Sequence, residues 1–176
     1  ANQADHILRY VLGQPGNWVI GVGRTKLPPA KDESGRLFFG EDYKFEYGKT
    51  DLLRDGDRAA VFTMGTMTFR ALEACEILKK EGIRVRVYNV SSPLALDPKV
   101  VSEASQTGLV VTYEDHNVHS GLGAIVGQII AGQGIKTKFK CLGVSQYGAS
   151  ADPEALFRKA GLDAASLAQT VKSLLD

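Results

Sequence analysis

A chain of 176 residues, 44% hydrophobic and 23% charged, is long enough for one main core and too apolar to stay disordered. Its 21 lysines and arginines against 20 aspartates and glutamates leave a net charge of +1, which offers no broad field to a phosphate polymer and excludes nucleic acid as the principal partner. The longest apolar stretch, around residues 124–131, is broken by Gly127 and Gln128 and falls well short of the ~20 residues that cross a bilayer, so no membrane span is expected.

The opening Ala1-Asn2-Gln3-Ala4-Asp5 carries neither the basic start nor the apolar centre of a signal peptide, and it reads as a junction inside something longer. Ile7, Leu8, Val11 and Leu12 then recur at helical spacing until Gly13 and Pro15-Gly16 end the run, predicting a short helix over 3–12. Residues 18–22, Trp-Val-Ile-Gly-Val, are a compact β-prone run expected to form a buried strand. From Gly23 to Gly40 the chain has Pro28-Pro29, a polar tract at 31–35 and no apolar period, which marks a surface connection between two units.

Residues 43–49 alternate aromatic and polar side chains, predicting a half-exposed strand, and Asp55-Gly56-Asp57 turns into a second strand over 59–63. Met67, Ala71, Cys75 and Leu78 share one helical face, with Thr66 as N-cap and Gly82 as the stop. A strand over 83–90, a helix over 97–106 opened by Asp97 and Pro98, and a strand over 109–113 follow. A glycine-containing helix over 122–130, a strand over 137–144 and helices over 153–160 and 164–175 complete the chain. Such alternation predicts an α/β fold, three-layer α/β/α with a mostly parallel five-stranded sheet, whose ligand contacts gather at the carboxyl ends of the strands.

Three places could carry chemistry. Met64-Gly65-Thr66 sits where a strand passes into a helix, able to hold an anion or simply to turn and cap. The stretch from Glu114 to Gly123 is the most polar in the chain. Its His116 and His119, with a nearby carboxylate, could line a shared active site, bind a metal or move a proton, while Asn117, Ser120 or Asp115 could merely cap the next helix. An H-x-x-H pair without a third spaced ligand is a poor metal signature, so no metal site is assigned. Arg24, leaving the end of the 18–22 run, could present its forked guanidinium to a phosphate or lie solvated. Cys75 and Cys141 are too few and too scattered for a secreted disulfide framework, which points to a reducing cytoplasm.

The order of segments resembles the transketolase family. The likeness rests on Asn2-Gln3 before a helix, Gly23-Arg24-Thr25-Lys26-Leu27-Pro28, Val111-Thr112-Tyr113-Glu114-Asp115-His116, Tyr147-Gly148-Ala149-Ser150 and Gly161-Leu162-Asp163. The resemblance implies that 1–30 are the C-terminal remnant of a pyrimidine-binding domain, 31–42 a linker and 43–176 a transketolase-like C-terminal domain. It implies that Arg24 binds the substrate phosphate, as does the arginine of the family's Ser-Arg-x-x-Leu-Pro segment, with Gly23 standing where the family has serine. The complete enzyme would use thiamine diphosphate and magnesium. The family's Gly-Asp-Gly magnesium motif and activating glutamate have no match here, so the chain alone is expected to bind no cofactor and to be inactive, with remaining domains or a companion subunit as partners in a homo-oligomer such as a dimer.

Glu-Asp-His resembles 1-deoxyxylulose-5-phosphate synthases and 2-oxoacid dehydrogenase beta subunits as much as transketolases, so ketol transfer between sugar phosphates has these as alternatives. A stand-alone module binding a small anion at Gly65 and His116, and a metal enzyme using His116 and His119, are the readings from other classes.

Overall fold

The computed structural model describes residues 2–23, 26–146, 148 and 150–176. Its strands are β1 (Thr50–Arg54), β2 (Ala59–Thr63), β3 (Val85–Val90), β4 (Leu109–Asn117) and β5 (Lys138–Val144), joined in one sheet of order β1-β3-β2-β4-β5. Only β1 runs antiparallel, against β3; β2 pairs in parallel with β3 and β4, and β4 with β5. The helices are α1 (Asn2–Leu12), α2 (Met67–Lys80), α3 (Pro98–Ser105), α4 (Leu122–Gly132), α5 (Pro153–Lys159) and α6 (Ala164–Leu175). The α/β fold with a mostly parallel five-stranded sheet is therefore the one expected.

Period-two alternation divides the strand side chains between two cores. Ala59 and Val61 of β2 join Val85, Val87, Leu109, Val111 and Tyr113 under α2 and α6, while Ala60 and Phe62 join Tyr88, Val90 and Val110 under α3 and α4. Every residue of β2 is buried, as a central strand covered on both faces must be. Helix ends follow the local chemistry. Asp97 accepts the Lys99 amide at 2.9 Å to open α3, and Gly82, at φ +77°, lets its own amide and that of Ile83 fold back onto the last turn of α2.

Two expected strands are absent. Residues 18–22 pair with no strand among the described residues, and Val19 (99% exposed) and Val22 (67%) face outward, so the run is extended but not buried. Residues 43–49 form no strand either; β1 starts at Thr50. The aromatic alternation there serves packing instead, since Tyr43, Phe45 and Tyr47 each meet a ring of the opening segment edge to face, on His6, Tyr10 and Trp18 respectively at 5.2 Å. The connector likewise does more than cross the surface, because Phe39 is buried in the core beneath α2.

The chain leaves β2 toward β3 on one side and later returns to place β4 on the other. A crevice between the carboxyl ends of β2 and β4 is where such sheets expose their loops to ligands.

Candidate functional site

On the β2 side of the crevice, Gly65 at φ +58° makes the turn into α2, a conformation that L side chains seldom adopt. Thr66 stands at the first position before the helix but does not cap it. Its Oγ1 donates instead to Asp115 Oδ2 at 2.6 Å, bridging the ends of β2 and β4. The connector passes over this bridge, for a Cβ added at Gly23 would come within 3.2 Å of the Thr66 methyl. Arg24 itself lies outside the described residues. The Gly65 turn, the Glu114–Gly123 segment and the approach to Arg24, separate in the sequence, thus meet at one edge.

β4 continues to Asn117, so Glu114 to Asn117 belong to the strand and not to a loop. Successive side chains diverge to opposite faces. Asp115 reaches toward α2, while Glu114, fully buried, reaches toward α4 and accepts the amides of Leu122 and Gly123 at 2.7 Å each. Asp115, Asn117 and Ser120 are therefore not the cap of α4. Glu114 is, from eight residues upstream, and Gly121 is required beside it because a Cβ there would fall 1.8 Å from Glu114 Oε2. The signal that could have revealed it is the β4 alternation carried one step further, into a helix start that has glycines at 121 and 123 and no capping side chain of its own.

Beyond Glu114 the chain turns tightly. Asn117 Oδ1 accepts the His119 amide at 2.8 Å, and His116 Nε2 lies 3.3 Å from Ser120 Oγ. His116 and His119 are both exposed. Among the described residues no three His, Cys, Asp or Glu side chains come together as a metal ion would need. Cys75 is buried and its thiol is pushed up by desolvation, which makes it a poor nucleophile.

A buried polar chain lies next to the crevice. Thr68 Oγ1 donates to Asn89 Oδ1 (3.0 Å), Asn89 Nδ2 to Gln3 Oε1 (3.0 Å), and Gln3 Nε2 and the Tyr43 hydroxyl to Asp51 Oδ2 (3.1 and 2.9 Å). Burial pushes the Asp51 carboxyl up, and burial above all, then the nearby Asp51 charge, pushes the Tyr43 phenol up. These bonds fasten α1 to β1, β3 and α2. Between them and Gly65 is a cavity of about 80 Å³, bounded on its other side by Phe39 and Leu72.

That volume takes two or three waters, at ~30 Å³ each, against the ~300–1,000 Å³ of a cofactor site. The acidic groups are committed as well. Asp115 holds Thr66, Glu114 holds two amides, Asp51 holds Gln3 and Tyr43, and Asp55 takes the Gly56 amide and Arg86 at the opposite edge of the sheet. The described residues therefore do not fit a diphosphate cofactor with its metal ion.

The family model "Transketolase, C-terminal domain" matches residues 48–167. One of the two chains of an apulose-4-phosphate transketolase, from Actinobacillus succinogenes, is 28% identical over 98% of this chain and 54% of its own length. The 1-deoxy-D-xylulose-5-phosphate synthase of Magnetococcus marinus is 34% identical over 74% of this chain and 22% of its own length. A solved structure titled as a split-gene transketolase, an inactive beta4 tetramer, superposes with a TM-score of 0.87 at 30% identity, covering 99% of this chain and 55% of that one. The chain thus spans about half the length of the apulose-4-phosphate transketolase chain and of the solved structure, and less of the synthase. With two thirds of its residues matched by the family model and a solved relative superposing over nearly its full length, this chain belongs to the transketolase C-terminal domain family.

Proposed function

We propose that this chain supplies the C-terminal domain, and one substrate-phosphate contact, of a thiamine-diphosphate-dependent enzyme that transfers a ketol unit between sugar phosphates, and that it is inactive without companion domains. The observation that supports this most is the match along nearly the whole chain, opening helix included, to a subunit of an apulose-4-phosphate transketolase and to a split-gene transketolase. Thiamine diphosphate and magnesium supply the carbanion chemistry of such enzymes and would be held outside the described residues. The work of this chain is to bind and to position. Arg24 presents its guanidinium fork to the phosphate, with two parallel charge-assisted bonds. The crevice of Thr66, Asp115 and His116 faces the same substrate, and the chain joins a companion subunit in a homo-oligomeric assembly.

The relatives named as 1-deoxy-D-xylulose-5-phosphate synthases, up to 34% identical, favour that synthase as the second reading. One experiment addresses both. The tagged chain is purified under native conditions from its own host and assayed for ketol transfer between sugar phosphates, and for formation of 1-deoxyxylulose 5-phosphate, with and without thiamine diphosphate and magnesium. Ketol transfer only in the presence of a co-purifying partner and the cofactor is expected. Turnover by the recombinant chain alone would refute the proposal, and 1-deoxyxylulose 5-phosphate as product would install the second reading.

A further inference from the structure

Glu114 is an ionisable side chain with no exposed surface, in a strand whose buried neighbours are otherwise Val110, Val111, Tyr113 and Thr112. Burying a carboxylate is costly unless donors surround it. Its two oxygens each take one backbone amide of α4, Oε2 from Leu122 and Oε1 from Gly123, at charge-assisted lengths. The neighbourhood is shaped around it. A Cβ at Gly121 would overlap the carboxylate, and one at Gly143 of β5 would stand 3.1 Å from Glu114 Cγ and 2.8 Å from the His116 carbonyl oxygen.

An N-cap normally sits at the helix start and fixes only its own residue. Glu114 instead spans the intervening turn, so its two bonds close residues 115–121 into a loop with both ends fixed. One end is the β4 backbone at Glu114 and the other the first turn of α4. Within that loop lie Asp115, held by Thr66 at the crevice, and His116, beside Ser120 Oγ. We infer that Glu114 is a positioning residue, which fixes the His116–Ser120 turn at the switch-point crevice through the amides of Leu122 and Gly123. Glu114 touches no substrate; it sets where His116 stands. The consequence for turnover rests on the proposed function above, whereas the consequence for the turn does not.

The test uses E114Q and G121A. Gln keeps the volume of Glu but can accept with one oxygen only, and Ala at 121 displaces the carboxylate without altering it. In the full chain, which has three histidines and so a readable imidazole spectrum, both variants are expected to lose amide protection at Leu122 and Gly123 and to broaden or shift the His116 ring signals while His6 stays unchanged. The two effects should not add in the double variant, since they break the same bonds. In the assembled enzyme the KM for ribose 5-phosphate should rise on the order of tenfold with kcat nearly kept, because a misplaced contact of this kind weakens binding before chemistry.

A folded E114Q with unchanged His116 signals and unchanged amide protection overturns the inference. Altered His116 signals with unchanged turnover leave Glu114 as the positioning residue of the turn and remove the substrate-facing role of the crevice. Should E114Q not fold, the unaltered chain decides: slow exchange at Leu122 and Gly123 is expected, and rapid exchange at both overturns the inference.

Discussion

Asp51 is 4% exposed and carries its charge, when ionised, between a phenol and two amide side chains with no cation in hydrogen-bond contact. Desolvation raises its carboxyl above the usual value near 3.8. The sign follows from proton counting. In the window between that usual value and the raised one the native state binds more protons than the unfolded chain, so stability falls as pH rises through it. Asp51→Asn keeps the acceptor for Gln3 and Tyr43 and removes the titration. Urea midpoints measured from pH 4 to 8 should therefore fall with rising pH in the parent and stay flatter in the variant; parallel curves would contradict the burial argument. Arg24 is the other residue with a defined test. In the assembled enzyme Arg24→Ala should impair phosphorylated sugars by ~2–5 kcal/mol in kcat/KM, the worth of a charged pair left half-made. Unphosphorylated analogues should be far less affected, and equal loss on both would remove the phosphate role.

At the scale of elements, α4 is built for close approach. A Cβ at Gly123 would stand 2.8 Å from Cys141 Sγ and 3.0 Å from Thr112 Oγ1, both anchored in neighbouring strands, whereas one at Gly132 in the last turn would meet nothing within 4 Å. Gly123→Ala should cost about 1–3 kcal/mol through overpacking, while Gly132→Ala should gain about 0.5–1 kcal/mol from backbone entropy. Chemical unfolding of both variants measures the contrast, and equal effects would mean that helix propensity and not packing sets α4. Elements of this kind are legible in the sequence: β2, α2, α3 and α6 have an unbroken period, a cap or a stop, and a face to bury. What is not legible depends on partners distant in the chain. The 43–49 alternation is real, yet its rings answer to His6, Tyr10 and Trp18 and not to a neighbouring strand. Glu114 reads as one more polar residue of a loop because its two amides lie eight and nine residues away, across a turn. Thr66 reads as a cap because local spacing cannot show that Asp115, 49 residues on, takes its hydroxyl. The crevice is likewise a product of strand order, which periodicity does not encode.

For the whole molecule, the proposed function makes a demand on the opening segment. Val19 and Val22 stand in an extended run with Leu12 exposed before it, while α1 itself is fastened to the sheet by Gln3 and by the rings of His6 and Tyr10. An apolar run that pairs with nothing in its own chain adds little to that chain's stability, so polar substitutions there should stay within ~0.5 kcal/mol in unfolding. If the run is the edge of a pyrimidine-binding domain whose remainder lies on companion domains, the same side chains become buried on assembly, at about 1.5–3 kcal/mol for each valine. The double variant V19S/V22S should therefore melt like the parent when alone, yet bind the companion at least ~100-fold more weakly, since ~1.4 kcal/mol is tenfold. Sedimentation of mixed chains reads the association, and cofactor-dependent turnover should fall in step with it. The two measurements separate a folding defect from an assembly defect. A variant that assembles normally would show that the exposed run is not the joining edge, and the division of the chain at the connector would then lose its functional meaning.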